Sequence, residues 1–250
     1  MSDPQDSIVL VIPVWNDSAR FGRYAPFLAE ALATSGLPVR WVISDDGSTQ
    51  EEQEKLKRLL EDLRSIYPNT EYLFIQQRSR KGGAIYRAWD AYPEAEWVGF
   101  VDADGAMDSS TVLRLIRCAV EQGREGGCIA VRCDSKETPV KRPLSRVLSF
   151  RFFSLLVRLL LGLPFVDTQC GLKILPGRAY HSIAGKLQEK GFIFDVELLL
   201  ALVRQGCPIK EVTVPWREIP RGKVHPLRDA WRMAVGLFRI RKRLRAGVYD

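Results

Sequence analysis

The sequence has no cysteines spaced as CxxC and no long uncharged apolar run, and its first residues do not resemble a signal peptide. Its five cysteines are odd in number as well, which argues against a disulfide framework and a zinc ribbon and favours a reducing cytosol. The start, MSDPQDS, has neither the basic nor the apolar region of a signal peptide. No stretch reaches the roughly 18 uncharged apolar residues typical of a membrane-spanning helix. We therefore expect a cytoplasmic protein without a membrane-spanning segment.

Two glycine-rich phosphate-binding motifs are also absent. The first apolar segment is not followed by GxGxxG, and GxxxxGK[ST] does not occur, so a dinucleotide-binding Rossmann domain and a P-loop are unsupported. What is present is a chain of 250 residues, 46% hydrophobic, which is enough to build a sizeable core. Lys and Arg outnumber Asp and Glu by 37 to 30, so an anionic partner is expected.

Short apolar segments alternate with helical patterns along the chain. Strands are predicted at residues 8–12, 40–44, 71–76, 97–101, 128–131 and 209–214. Helices are predicted at 23–35, 51–66, 83–91, 109–122, 144–161, 192–205 and 226–244, and a loop at 167–175. Ser48 and Glu51 predict a capping box for the second helix. The alternation is typical of an α/β fold, a mainly parallel sheet with helices on both faces.

Polar side chains follow the predicted strands where ligands of open α/β sheets bind. Asp102 and Asp104 stand one residue apart at the end of the apolar fourth strand, where two carboxylates can converge on one divalent cation. Mg²⁺ or Mn²⁺ held there would keep positions open for diphosphate oxygens. The alternative is that Asp102 caps the next helix and that Asp104 and Gly105 form a turn.

Two further segments suit a nucleotide. Asp45 and Asp46 end the second strand and can accept hydrogen bonds from a ribose or a base, although a turn and helix cap would explain them as well. The segment RSRKGG, residues 78–83, places three cations before a glycine pair at a helix start, a suitable place for a diphosphate.

Seven short motifs follow one another in a characteristic order. They are VIPVWN (11–16), DDGS (45–48), KGG (81–83), VDADG (101–105), DTQCGLK (167–173), FDVE (194–197) and VPWRE (214–218). Together they resemble the family 2 glycosyltransferases, and most closely the dolichyl-phosphate glucosyltransferase and dolichyl-phosphate mannose synthase branch. The resemblance implies a GT-A fold, with a catalytic domain at 1–225 and a basic amphipathic helix at 226–250 that belongs to the same domain. It also implies a metal-dependent, inverting hexose transfer from a nucleotide sugar to a polyprenyl phosphate, with UDP-glucose favoured and GDP-mannose as the alternative.

The resemblance assigns roles to single residues. Asp102 and Asp104 would hold the metal, with Asp104 catalytic. The nucleotide sugar would also contact Pro13, Trp15, Asp17, Asp45, Asp46, Lys81 and Lys223. Arg132 and Arg146 are the candidates for binding the acceptor phosphate, since guanidinium groups match phosphate geometry; for Arg146 a position on a solvated helix face is the alternative. Asp167 would orient or deprotonate the acceptor, Gln169 would line its site, and Asp195 would line it or cap a helix.

Two segments are basic and apolar together. Residues 147–161 place Arg151, Ser154 and Arg158 on a narrow polar stripe, and the C-terminal helix ends in a cluster of basic residues from Arg239 to Arg245. Each segment either packs into the core or lies in a membrane interface that contains anionic lipid. We expect peripheral association with the cytoplasmic membrane face.

Three other functions are weighed against this one. A family 2 glycosyltransferase with a soluble acceptor stays open. A sugar-1-phosphate nucleotidyltransferase is disfavoured because it needs a glycine-rich loop after the first strand, where Trp15 and Asp17 stand. A nucleic-acid-binding module is suggested only by the basic excess, and acidic strand ends would repel phosphates, so no nucleic acid is expected as a partner.

Overall fold

A computed structural model describes residues 8–133, 144–216, 219 and 226–250, with the backbone alone at 144–151 and 226–229. The described residues contain a seven-stranded sheet. Its strands are β1 (Ile8–Val14), β2 (Val39–Asp45), β3 (Thr70–Phe74), β4 (Trp97–Val101), β5 (Gly127–Cys133), β6 (Leu172–Pro176) and β7 (Ile209–Pro215). The order is β3-β2-β1-β4-β6-β5-β7. Neighbouring strands are parallel, except that β6 runs antiparallel to β4 and β5.

Helices cover both faces of this sheet. They are α1 (Ser18–Ser35), α2 (Gln50–Ile66), α3 (Arg80–Asp90), α4 (Ser109–Glu121), α5 (Leu144–Leu161), α6 (Gly177–Ile183), α7 (Phe194–Arg204) and α8 (Pro226–Arg245). Successive residues of a strand point to opposite faces, so Leu10 packs with α1, α2 and α4, whereas Val9 and Val11 pack with the core of α3, α6 and α7. Leu237 and Ile240 bring α8 into that second core. The prediction of a mainly parallel sheet with helices on both faces is confirmed.

The sequence of α4 shows why these helices form. Val112, Leu115, Ile116 and Ala119 recur at helical spacing and are buried against the sheet. Asp108 precedes the helix and accepts a hydrogen bond from the Thr111 amide at 2.7 Å, which satisfies one of the unpaired donors of the first turn. The alternative of Asp102 as a helix cap is therefore wrong, because Asp108 caps α4.

Two local predictions are wrong. The predicted loop at 167–175 contains β6, a buried strand whose charged Lys173 interrupts an otherwise apolar segment of five residues. Its antiparallel pairing with β4 depends on residues about 75 positions earlier in the chain, which a local pattern does not reveal. The capping box at Ser48 does not form, because Thr49 rather than Ser48 directly precedes α2, and no side chain caps the helix. The Ser48 hydroxyl instead accepts a hydrogen bond from the Asn16 amide at 2.8 Å.

Among the helices of the described ranges, none is both long enough and apolar enough to cross a bilayer.

Candidate active site

A cleft of about 1070 Å³ opens at the carboxyl ends of β1, β2 and β4. One side, which we name the strand-end wall, comprises Pro13, Trp15, Asp17, Asp46, Lys81, Asp102 and Asp104. The other side, the helical wall, comprises Glu189, Phe192, Ile193, Trp231, Met233 and Arg239. The helical wall is built from the loop before α7 and from α8. Residues from distant parts of the chain therefore meet at the edge of the sheet where open α/β folds bind ligands.

Asp102 is positioned by the backbone around it. Its amide donates to the Gly171 carbonyl at 2.9 Å, directly after β4 ends. A Cβ at position 171 would lie 2.1 Å from Asp102 Oδ2, so glycine is required there for the carboxylate to fit. The glycine of the DTQCGLK motif therefore makes room for the first aspartate of the VDADG motif.

Asp104 lies in the turn that follows. Its Oδ1 accepts a hydrogen bond from the Ala106 amide at 3.0 Å, and Gly105 adopts a positive φ of 72° over the ring of Tyr24. Burial and the neighbouring charge of Asp102 raise the pKa of Asp104. Two carboxylates that repel each other in a partly buried turn are a site that a cation would stabilise.

A lysine already places positive charge beside this pair. Lys81, in the first turn of α3, has its Nζ 2.6 Å from Asp102 Oδ1 and is largely buried. Burial opposes the charge of this ammonium, but Asp102 and Asp195 together raise the pKa of Lys81. The ammonium stands where a cation belongs, and carboxylate oxygens are the donors that Mg²⁺ and Mn²⁺ prefer, so the residues fit a divalent ion. Within the described ranges no cluster of three or more His, Cys, Asp or Glu forms, so this part of the chain offers Asp102 and Asp104 as the carboxylates at this point.

The adjacent acids at the end of β2 differ in position. Asp46 lines the cleft, where its Oδ1 accepts hydrogen bonds from the amide and hydroxyl of Ser79 at 2.5 and 2.8 Å. Asp45 is fully buried, and its two oxygens accept from the Ser48 amide at 3.0 Å and the Tyr72 hydroxyl at 2.6 Å. Asp45, predicted to bind nucleotide, thus stabilises the turn through these two hydrogen bonds, while Asp46 faces the cleft.

The end of β1 supplies an aromatic surface to the cleft. The guanidinium carbon of Arg78 lies 3.2 Å from the centre of the Trp15 ring, a close cation–π contact. Asp17 pairs with Arg20, and Asn16 Oδ1 accepts from the Thr49 amide at 2.8 Å. Asn16 was assigned no role from the sequence, although it fastens the end of β1 to the start of α2.

A second, smaller pocket of about 120 Å³ is also lined by Asp102 and Asp104. Arg132 and Gln169 line it. Arg132 donates Nε and Nη2 to the two oxygens of Asp167 at 2.6 and 3.0 Å, and Asp167 is 1% exposed. Burial opposes the charge of Arg132, but its hydrogen bonds to Asp167 raise the pKa of the guanidinium. Because both oxygens of Asp167 are engaged, the geometry favours the orienting role of this residue over proton removal.

Asp195 lies in a buried ion pair. Its Oδ1 is 2.5 Å from Lys173 Nζ, and the two side chains are 3% and 0% exposed. Lys173 also donates to the Cys170 carbonyl at 2.7 Å, so the pair joins α7 to the DTQCGLK segment. The helix-cap alternative for Asp195 is wrong, since Ile193 precedes α7 and no side chain caps it.

Burial raises the pKa of the Cys170 thiol to about 12, so this thiol stays protonated and is no nucleophile.

A second buried acid on α7 fastens the helical wall. Glu197 is fully buried and accepts from Tyr249 at 2.6 Å, from Arg243 at 2.8 Å and from the amides of residues 188 and 189 at 2.8 and 2.6 Å. Glu189 accepts from Arg239 at 2.9 and 2.7 Å and from Arg243 at 2.8 Å. Sequence reasoning missed this network, although acids so close to an apolar helix start were a signal that they need distant partners.

Two predicted site residues cannot be placed. Lys223 lies outside the described residues, and Arg146 lies in the part of α5 for which only the backbone is described. Of the other predicted residues, the cleft brings together Pro13, Trp15, Asp17, Asp46, Lys81, Asp102 and Asp104, and the smaller pocket brings Arg132 and Gln169 to the same two aspartates.

Comparison with known proteins places this geometry in a family. The chain is 29% identical to dolichyl-phosphate beta-glucosyltransferase of Saccharomyces cerevisiae, over 99% of this chain and 78% of that protein. It is 28% identical to the Dictyostelium discoideum protein of that name, with the same coverage. A crystal structure of glucosyl-3-phosphoglycerate synthase from Mycobacterium tuberculosis, in complex with Mn²⁺, UDP and glucosyl-3-phosphoglycerate, superposes with a TM-score of 0.65 at 15% identity, over 94% of this chain and 79% of that one. Residues 9–174 match the model of glycosyl transferase family 2. The resemblance drawn from the seven motifs is thus confirmed, and the chain belongs to the family 2 glycosyltransferases and has their GT-A fold.

Proposed function

We propose that this glycosyltransferase transfers glucose from UDP-glucose to a polyprenyl phosphate, with inversion at the anomeric carbon. The observation that carries the proposal is the pair of carboxylates, Asp102 and Asp104, between a nucleotide-sized cleft and a small pocket lined by Arg132. The names of the relatives that align with nearly the whole chain support glucose and a dolichyl-type acceptor, and favour UDP-glucose over GDP-mannose.

The donor would occupy the large cleft. Trp15 and Pro13 offer apolar surface to the base, while Asp17 and Asp46 offer acceptors to the nucleoside. Asp102 and Asp104 would hold Mg²⁺ or Mn²⁺, which when bound neutralises charge on the leaving diphosphate. Lys81 would add a second positive charge on the same side, because its ammonium already contacts Asp102. Lys223 remains a predicted diphosphate contact.

The acceptor phosphate would occupy the small pocket, which Asp102 and Asp104 also line. Arg132, oriented by Asp167, lines this pocket together with Gln169, and a guanidinium group matches the geometry of a phosphate. A phosphate oxygen is anionic at neutral pH, so it attacks the anomeric carbon with little need for a general base. Positioning and charge stabilisation by these side chains would then supply most of the rate. Arg146 remains a predicted acceptor contact.

Membrane association is proposed as well, at the cytoplasmic face. Phe152, Leu155 and Leu159 recur at helical spacing on α5 and are 60%, 51% and 70% exposed. The segment of α5 contains no acidic residue, and α8 ends in basic residues, which would attract anionic headgroups. Flotation with anionic vesicles, absent with neutral ones, is the expected result. Failure to float with either would remove this part of the proposal.

The transfer itself is tested with purified protein, Mn²⁺, labelled UDP-glucose and farnesyl phosphate, a short polyprenyl phosphate. We expect label in the organic phase, loss of that label with EDTA, and much less label from GDP-mannose. A thermal-shift panel of nucleoside diphosphates with and without Mn²⁺ should show the largest stabilisation by UDP with the metal. Label transferred only to water-soluble phosphate esters would overturn the lipid acceptor, and a preference for GDP would overturn the donor.

A further inference from the structure

Two large aromatic side chains stand at the rim of the cleft and are exposed to solvent. Phe192 is 41% exposed and Trp231 is 71% exposed, and both line the cleft. They belong to separate elements, Phe192 to the loop before α7 and Trp231 to α8. Exposed aromatic surface at the mouth of a binding site is typical of a surface that a ligand covers. We name this pair the aromatic rim.

Rigid contacts hold the loop that carries Phe192. The Lys190 carbonyl accepts a hydrogen bond from the Gly82 amide at 2.9 Å, which ties the loop to the start of α3. A Cβ at Gly82 would lie 2.5 Å from the side chain of Phe194, the first residue of α7, so the end of the loop and α3 pack at a distance that only glycine permits. Phe192 is therefore set by its neighbours on both sides.

The helix that carries Trp231 is also fixed. Gly236 brings α8 so close to the same loop that a Cβ there would lie 2.7 Å from Ile193 Cγ2. One turn further, Arg239 forms two hydrogen bonds with Glu189. Because α8 is held against this loop, the backbone positions that carry the two rings of the aromatic rim keep a fixed spacing. A preorganised apolar surface binds without the cost of ordering mobile side chains.

Gln169 connects the small pocket proposed for the acceptor phosphate to the two elements that carry the aromatic rim. It lines that pocket, and its Nε2 donates to the backbone carbonyl of Phe192 at 3.1 Å and lies 4.0 Å from Met233 Sδ on α8. Asp102 and Asp104 line both the small pocket and the cleft whose rim holds Phe192 and Trp231. An apolar chain attached to a phosphate in the small pocket therefore has the aromatic rim as its neighbouring apolar surface.

We propose that Phe192 and Trp231 form a subsite for the apolar chain of the acceptor, next to its phosphate. The inference rests on the proposed function, since it takes the acceptor to be a lipid phosphate. The occupant is the first part of the acceptor chain rather than the bilayer, because the rim residues line the cleft, whereas the exposed α5 residues do not contribute to its lining. The enzyme selects acceptors by the apolar group that follows the phosphate.

The test compares prenyl phosphates of increasing length, dimethylallyl, geranyl and farnesyl phosphate, by kcat/KM. For the unmodified protein we expect kcat/KM to rise with each isoprene unit. Trp231→Ala and Phe192→Ala should each lower the ratio of kcat/KM for farnesyl over dimethylallyl phosphate by about tenfold, since each removes apolar contact area worth roughly that factor in affinity. The change should lie mainly in KM for the acceptor.

Leu159→Ala is the matched control. Leu159 is 70% exposed, as Trp231 is, but it lies on α5 away from the cleft lining. This variant should keep the chain-length ratio. The melting temperature and UDP affinity of all three variants should match those of the unmodified protein.

The outcomes separate this inference from the proposed function. An unchanged chain-length ratio in the rim variants would overturn the subsite while leaving transfer to lipid phosphates intact. An equal fall for Leu159→Ala would also overturn it, in favour of general contact with micelles or membranes. No transfer to any prenyl phosphate by the unmodified protein, with UDP binding intact, would overturn the proposed acceptor itself.

Discussion

The two walls of the cleft are held in place by different forces. In the strand-end wall, Asp46, Asp102 and Asp104 are positioned by backbone amides and carbonyls in the turns that follow β2 and β4. In the helical wall, Arg239 pairs with Glu189 across 50 residues and Arg243 pairs with Glu197 across 46. The proposed donor site thus follows directly from the sheet, whereas the proposed acceptor side depends on ion pairs between distant elements. Substitutions in the strand-end wall should therefore lower the rate of transfer, and substitutions in the helical wall should lower the stability of the structure.

The largest effect is expected at the strand-end wall, from Asp104→Asn. Loss of one carboxylate removes a metal ligand, and we expect transfer to farnesyl phosphate to fall by about a thousandfold or more, as for loss of a major electrostatic contribution. The fold should survive. Burial and Asp102 raise the pKa of Asp104, so ionisation of Asp104 costs stability as pH rises through that raised pKa. Without metal, the melting temperature of the variant at pH 7.5 should therefore equal or exceed that of the unmodified protein. The difference in melting temperature should vanish below the ordinary pKa of an aspartate.

Asp108→Ala is the matched control for that variant. Asp108 caps α4 four residues later in the chain, and its loss should cost about 1 kcal/mol of stability while transfer is retained. Melting curves and initial rates measured side by side distinguish the two residues. Full activity of Asp104→Asn with Mn²⁺ present would contradict the metal role.

The second-largest effect is expected from Lys173→Met beneath the acceptor side. This change leaves Asp195 buried without its main partner, and we expect the free energy of unfolding in urea to fall by about 3–5 kcal/mol. The double variant Lys173→Met with Asp195→Leu removes both charges and should recover much of that loss. If the single variant is as stable as the unmodified protein, the ion pair does not hold β6 to α7.

The strand-end wall was the part of the site that the sequence predicts well. Asp102 and Asp104 follow an apolar strand, and Lys81 precedes a glycine pair, so parallel-sheet topology alone brings them together. The neighbouring acids Asp45 and Asp46 were not distinguished, because the pairing of β2 decides which of two adjacent side chains faces the cleft. Local patterns carry no information on that register.

The helical wall was largely beyond sequence reasoning. Lys173 made a five-residue strand look like a loop, since a lysine is rarely fully buried unless a partner accompanies it, and its partner lies 22 residues away. Glu189 and Arg239 carry no local signal of their pairing. The amphipathic pattern of 226–244 did predict a helix, but the pattern did not show which of its arginines turn inward to a buried acid.

A smaller effect is expected from Arg132→Lys. Lysine keeps the charge but cannot form the two-pronged contact with Asp167 while presenting further donors to a phosphate. We expect KM for farnesyl phosphate to rise by about 10- to 100-fold, with UDP affinity unchanged. Arg114→Lys is the control, because Arg114 donates to the Thr213 carbonyl on the outer surface and should leave both constants unaltered. An equal rise in KM for UDP-glucose would place Arg132 on the donor side instead.

The smallest effect is expected from Glu189→Gln, measured by hydrogen exchange of peptides from α8 after correction for the intrinsic rate. Burial alone would raise the pKa of Glu189, but hydrogen bonds from Arg239 and Arg243 lower it overall. The contribution of Glu189 to holding α8 is therefore complete above the ordinary pKa of a glutamate and is lost as pH falls through the lowered value. At pH 7 the variant should exchange about tenfold faster over residues 230–245, because Glu197 still holds Arg243.

Acidification sharpens the same comparison between the walls. The unmodified protein should keep the exchange protection of α8 from pH 8 down to about 4.5, the ordinary pKa of a glutamate, and lose it below that value, whereas Glu189→Gln should show little further change in that range. Lys242→Gln, an exposed change on the same helix, should behave like the unmodified protein. If α8 exchanges equally fast with and without Glu189, the helical wall is held by apolar packing of Leu237 and Ile240 rather than by charge.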